Sequence, residues 1–154
     1  MKNTYLKSVL VALGILMSAS SLMAQIYSES EIQDIYMSFL EDEEIEGFVD
    51  SDGDVQFEYH GRKYYIEVDE DNPNYLSIVL WDFWPIESTS EAVQIAIACD
   101  VVNRETKVVK AFSENDNVVL ACELFVESPR DMASVFSLCI ASIEAAVDIF
   151  VDEM

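Results

Sequence analysis

Val55-Gln-Phe-Glu-Tyr-His-Gly-Arg-Lys-Tyr-Tyr-Ile-Glu-Val68 reads as a β-hairpin whose register can be worked out residue by residue. Val55, Phe57 and Tyr59 alternate with Gln56 and Glu58, and Tyr64, Ile66 and Val68 alternate with Tyr65 and Glu67. His60-Gly61 supplies a two-residue turn between the two runs. Such a turn pairs Tyr59 with Arg62, Phe57 with Tyr64 and Val55 with Ile66 on one face. The other face pairs Glu58 with Lys63 and Gln56 with Tyr65, so opposite charges meet across the strands.

Downstream, Asp69-Glu-Asp-Asn-Pro-Asn74 is a turn and Tyr75 to Trp84 is a third strand. That strand is apolar on both faces, with Leu76, Ile78 and Leu80 on one and Val79, Trp81 and Phe83 on the other. A strand covered on both sides is central or lies beneath a partner. Pro85 ends it, and Ser88-Thr-Ser-Glu91 has capping-box spacing for a second helix to about Asn103, with Ala92, Ile95, Ala96, Cys99 and Val102 inward. Lys107–Ser113 and Val118–Val126 are two strands around the turn Glu114–Asn117. Ser128-Pro-Arg-Asp131 gives an N-cap, an N1 proline and an acidic first turn. The last helix runs from about Pro129 to Asp152. Glu144 and Asp148 interrupt its apolar surface, which argues against a membrane span.

Upstream, Ser28-Glu-Ser-Glu31 is another capping box, opening a helix from about Ser30 to Glu46. Ile32, Ile35, Tyr36, Phe39 and Leu40 fall at helical spacing, and Gly47 suits its stop. The order is αβββαββα, an α+β chain with neither linker nor repeat. Before it, Lys2 and Lys7, the apolar run Val9–Met17 and Leu22-Met-Ala24 have the layout of a secretory signal peptide. Residues 1–24 are expected to be removed, leaving residues 25–154 as one exported domain, periplasmic or secreted, with no membrane span.

Across all 154 residues, 30 acidic side chains face 8 Lys plus Arg, a net charge of −22. Cleavage after Ala24 removes two lysines and no carboxylate, so six basic side chains remain and the charge becomes −24. Nucleic acid is thereby excluded as a partner, because a phosphate backbone needs a basic surface. A basic protein or peptide is favoured. With 51% hydrophobic residues the domain can bury a core without staples.

The chemistry-bearing residues are sparse. Asp50-Ser-Asp-Gly-Asp54 resembles a calcium-loop fragment, yet setting Gly53 at the sixth loop position puts Phe48 first and Tyr59 twelfth, where carboxylates are needed. His60, the single histidine, sits at a turn tip, where neither an orienting partner nor a shielded pocket is expected. Cys99, Cys122 and Cys139 fall on inward positions in no zinc spacing and read as buried thiols, although an exported chain could oxidise one pair. No catalytic residue, metal ligand or cofactor site is assigned.

Gly61-Arg-Lys-Tyr-Tyr-Ile-Glu-Val-Asp69, Phe83-Trp-Pro-Ile86 and Val102-Asn-Arg-Glu-Thr-Lys-Val-Val-Lys110, in this element order, resemble the YbjN-like family. Those proteins, labelled bacterial sensory transduction regulators, are similar to the small acidic chaperones of type III secretion. The resemblance implies a twisted antiparallel five-stranded sheet packed with helices, a homodimer, and no enzyme activity. The expectation is a non-enzymatic exported binding domain that offers an apolar sheet or groove to a peptide or protein. Trp81, Phe83 and Trp84 are its candidate partner-binding residues, because aromatic anchors dominate interface energy. The alternative is an acidic calcium-binding or hydrolytic protein using the turns Asp50–Asp54 and Asp69–Asp71.

Overall fold

The computed structural model describes residues 27–154, so the export segment expected over residues 1–24 lies outside the described residues. Ser28 caps the first helix, α1 (Glu29–Asp42), and the capping box is complete: Ser28 Oγ accepts the Glu31 N–H, and the Glu31 carboxylate accepts the Ser28 N–H at 2.9 Å. The helix stops at Asp42 rather than Glu46. Its last turn holds no basic side chain, and the acidic run that follows opposes the negative end of the helix dipole. Glu44 turns to φ 59° and the Ile45 N–H returns to the Leu40 carbonyl at 2.8 Å, closing the helix. Gly47 is therefore not the helix stop. It begins a short strand, β1 (Gly47–Val49), absent from the five-strand expectation. A Cβ at Gly47 would lie 2.8 Å from Leu40 Cδ1, so glycine is what lets this strand pass beneath α1.

β2 (Val55–Tyr59) and β3 (Arg62–Ile66) form the hairpin in the predicted register, pair for pair. His60 and Gly61 both take positive φ, as a type I′ turn demands. Next come β4 (Tyr75–Pro85), α2 (Thr89–Glu105), a second tight hairpin of β5 (Val109–Glu114) and β6 (Asn117–Phe125), and α3 (Met132–Glu153). Ser128 and Asp131 cap one another across a 3-10 turn that leads into α3.

Among the described residues the strands form one antiparallel sheet in the order β1-β2-β3-β4-β6-β5. The fold is α+β as expected, with six strands instead of five. All three helices lie on the same face of it. Ile32, Tyr36 and Leu40 of α1, Ile95, Ala98 and Val102 of α2, and Phe136, Ile140, Ile143 and Phe150 of α3 pack there against Val55, Phe57, Tyr64, Ile66, Ile78 and Leu120. In α2 the inward alanine is Ala98, whereas Ala96, expected inward, is exposed. The helix presents residues 95, 98, 99 and 102, one step round from the stripe that begins at Ala92. α3 is long and apolar enough to cross a membrane by length and composition, and its apolar stripe is buried in this core.

Two details shape the rest of the molecule. The Asn103 side chain pairs with both backbone groups of Ala111, accepting its N–H at 2.8 Å and donating to its carbonyl at 2.9 Å. With the Thr106 hydroxyl on the Val109 carbonyl at 2.9 Å, the end of α2 thus occupies the first part of the free edge of β5, at Val109 and Ala111. In β4, Leu80 faces Leu120 while Trp84 faces Val118, so four steps along β4 match only two along β6. Asp82 absorbs the excess at φ 52°.

Candidate functional site

The bulge at Asp82 divides the three aromatic residues singled out in the sequence. Trp81 lies on the face of the sheet away from the helices, packed on Val79, Val119 and Ala121. Phe83, expected on that same face, is turned toward the helical core, where its ring meets Phe150 at 5.4 Å between centroids. Strict alternation assigns Phe83 to the Trp81 side; the left-handed residue Asp82 beside it breaks the pleat and turns Phe83 to the helical side. Trp84 meets Phe150 at 5.7 Å, and its Nε1–H donates to Glu91 Oε1 at 3.1 Å. Trp81 and Phe83 still line one shallow depression of about 380 Å³, together with Arg62, Lys63, Tyr65 and Asp82.

The uncovered face is ordered in rows by the strand register. Tyr65 of β3, Val79 of β4 and Ala121 of β6 lie abreast. Val79 and Ala121 are each only 2% exposed although no described helix covers them; with Val119 they pack beneath Trp81. One row along, Glu67, Ser77 and Glu123 lie abreast: the Glu67 N–H donates to the Ser77 carbonyl at 3.1 Å, and Ser77 faces Glu123. Beyond them Tyr75 and Phe125 face each other at 5.7 Å, with Phe125 83% exposed.

The Glu–Ser–Glu row is electrostatically uneven. Burial pushes the Glu67 carboxyl above the ordinary carboxylate range; the Ser77 hydroxyl opposes this, while Asp54, Glu123 and Glu114 add to it. Burial likewise pushes up Asp54, whose Oδ1 accepts the Val68 N–H at 2.8 Å. Glu123 is ion-paired with Lys110. Tyr75 is pushed above the usual phenol range by burial and by its hydrogen bond to Glu123. Ser77 is 1% exposed, and its hydroxyl lies beside the Glu67 carboxyl, which it holds down. Sequence reasoning missed this row. The available signal was a serine inside the apolar run Leu76–Leu80.

His60 does have an orienting partner, contrary to the sequence expectation. Its Nδ1 lies 2.8 Å from Glu144 Oε1 and its ring stacks on Tyr59 at 4.0 Å, pinning the hairpin tip to α3. The acidic turns use their carboxylates on their own backbone. Asp50 Oδ1 accepts the N–H groups of Asp52 and Asp54, and Asp69 Oδ1 those of Asp71 and Asn72. Among the described residues no three His, Cys, Asp or Glu side chains converge as metal ligands. Cys99, Cys122 and Cys139 are buried free thiols. Cys122 is held protonated by its hydrogen bond with Cys139 and by burial.

No family model matches the chain, and no curated protein matches it. Among solved structures, the crystal structure of YbjN from E. coli, a candidate transcription regulator, aligns with a TM-score of 0.54 at 16% sequence identity. The alignment covers 78% of this chain and 89% of that chain, so the two share the YbjN-like fold.

Proposed function

We propose that the chain is a non-enzymatic, exported binding domain that recognises a peptide or protein on the uncovered sheet face and works as a homodimer. One observation carries the reading: on a sheet face that no described helix covers, Trp81 stands partly exposed over the buried Val79, Val119 and Ala121 and lines a depression with Phe83, Tyr65, Arg62, Lys63 and Asp82. An apolar centre with a polar rim is the anatomy of a recognition surface. The fold shared with YbjN, itself a candidate regulator, fits a protein that acts by binding.

In this reading Trp81 is the anchor and Phe83 borders the same depression. Trp84 supports Phe83 from the helical side, directly and through Phe150. Peptides selected on the wild-type protein from a random display library test the assignment. Trp81→Ala is expected to weaken them by about 2 kcal/mol, roughly thirtyfold. Trp84→Phe, on the other side of the sheet, should leave them bound. Selected peptides indifferent to Trp81 would remove this face as the site. Export has its own measurement, the intact mass of the native protein, which should begin at or near Gln25.

A further inference from the structure

Two of the three buried thiols meet in the core. Cys122 lies on β6 with Val118 and Leu120 on the helix-facing side of the sheet, abreast of Ile78 on β4 and Val109 on β5. Cys139 lies on α3 in the buried stripe of Phe136, Ile140 and Ile143. The helix packs on that side of the sheet, and the two side chains hydrogen-bond thiol to thiol. Both are closed off from solvent, Cys122 at 0% exposure and Cys139 at 3%. Cys99, on α2, takes no part in this contact, and burial alone pushes its thiol up.

We propose that Cys122 and Cys139 are joined by a disulfide in the mature protein, stapling α3 to β6, while Cys99 stays a thiol. The assignment rests on the export reading above, because structural disulfides persist in oxidising compartments and are rare in the cytosol. Three cysteines allow three pairings, and contact selects one of them. A disulfide forms without strain only where the sulfurs can approach without moving the backbone. Two thiols already touching across a helix and a strand satisfy that condition, whereas Cys99 stands apart on another helix.

The oxidant is a disulfide carried by a protein or small molecule of the export compartment. One cysteine of the pair attacks it as the thiolate, forming a mixed disulfide and releasing a thiolate. The other cysteine gives its proton to that leaving group and attacks the first cysteine's sulfur, displacing the second thiolate. Two electrons and two protons pass from the cysteines to the oxidant, which leaves as two thiols. Neither sulfur is open to such a reagent once the core has closed, so the exchange belongs to the folding chain. On its other side β6 carries Val119 and Ala121 beneath Trp81. The staple therefore fixes the strand under the proposed recognition face to the helix behind it. It closes a loop of roughly 17 residues, which removes chain entropy from the unfolded state.

The test unfolds and reduces the native protein in guanidinium chloride, refolds it in mixed oxidised and reduced glutathione, alkylates it without reductant and maps it by mass spectrometry. One intramolecular bond from Cys122 to Cys139 is expected, with Cys99 alkylated. The oxidised protein should melt about 10 °C above the same sample reduced with a phosphine, a comparison that needs no variant. Cys99→Ala should keep both the bond and the shift, whereas Cys139→Ala should lose both. All three thiols alkylated after refolding, or Cys99 found in the bridge, would overturn the pairing. The same map on native protein, denatured without reductant, separates this outcome from the export reading. A chain beginning near Gln25 with all three cysteines free would overturn the disulfide and leave export standing. A native chain that retains residues 1–24 would end the export reading, and the refolding map would then decide the pairing by itself.

Discussion

Ser77→Ala is expected to lower stability at neutral pH by about 1 kcal/mol in thermal melts, because it removes a buried hydroxyl that holds the Glu67 carboxyl down. Glu67 itself carries a pH dependence. Because its carboxyl is pushed up mainly by burial, the folded chain holds that proton more tightly than the unfolded chain does. The contribution of Glu67 is therefore full below the unfolded carboxylate range and is lost as pH rises through the higher folded value. Glu67→Gln, neutral at every pH, should melt above wild type at pH 7 and lose that advantage below about pH 4. Glu31 and Glu91 run the other way. Capping hydrogen bonds from the Ser28 and Glu87 backbones, the leading cause in each, hold their carboxyls down. Their contribution is present at neutral pH and is lost as acid titrates them below the usual carboxylate range. Thermal melts across pH 3–7 (roughly the carboxylate window) on single Gln variants check both signs.

At the level of elements, β4 decides which aromatic residues share a face. An L-residue at φ 52° is held against its preference, at about 1 kcal/mol. Asp82→Gly should accordingly be neutral or mildly stabilising. Asp82→Val should lose about 1–2 kcal/mol in chemical denaturation, because branching at Cβ is worst tolerated there. If Asp82→Val leaves stability unchanged, the bulge is not the strained point described here. The β2–β3 hairpin was legible in the sequence because its turn fixed the register and Glu58 opposite Lys63 confirmed it. β1 was not, since three residues beginning with glycine leave no periodic trace. Phe83 departs from alternation because the left-handed conformation of Asp82 breaks the pleat beside it, and no local pattern announces that break. Trp81 drew notice as part of a strand apolar on both sides. The Glu67–Ser77–Glu123 row could not, because pairing Ser77 with Glu123 joins strands whose partnership no local pattern specifies.

For the whole molecule, charge sets the terms of association. At −24 for residues 25–154, two copies repel, so the homodimer should tighten as salt is raised and the Debye length falls toward roughly 10 Å at 0.1 M. Light scattering at low and high salt measures it, and a monomer mass at both with protein near 100 μM, an order-of-magnitude choice, would end the dimer proposal. Asn103→Ala addresses the other way copies could meet. It should lower stability by about 1–3 kcal/mol by leaving Ala111 without its two hydrogen bonds. Thioflavin fluorescence should rise on standing, as a strand edge becomes available. Unchanged fluorescence would mean that β5 is guarded by something else. In the native chain the amide of one asparagine stands in for the next strand's backbone, and at the opposite margin β1 is three residues long. Growth into a ribbon is thereby blunted at both margins, by a side chain at one and by brevity at the other.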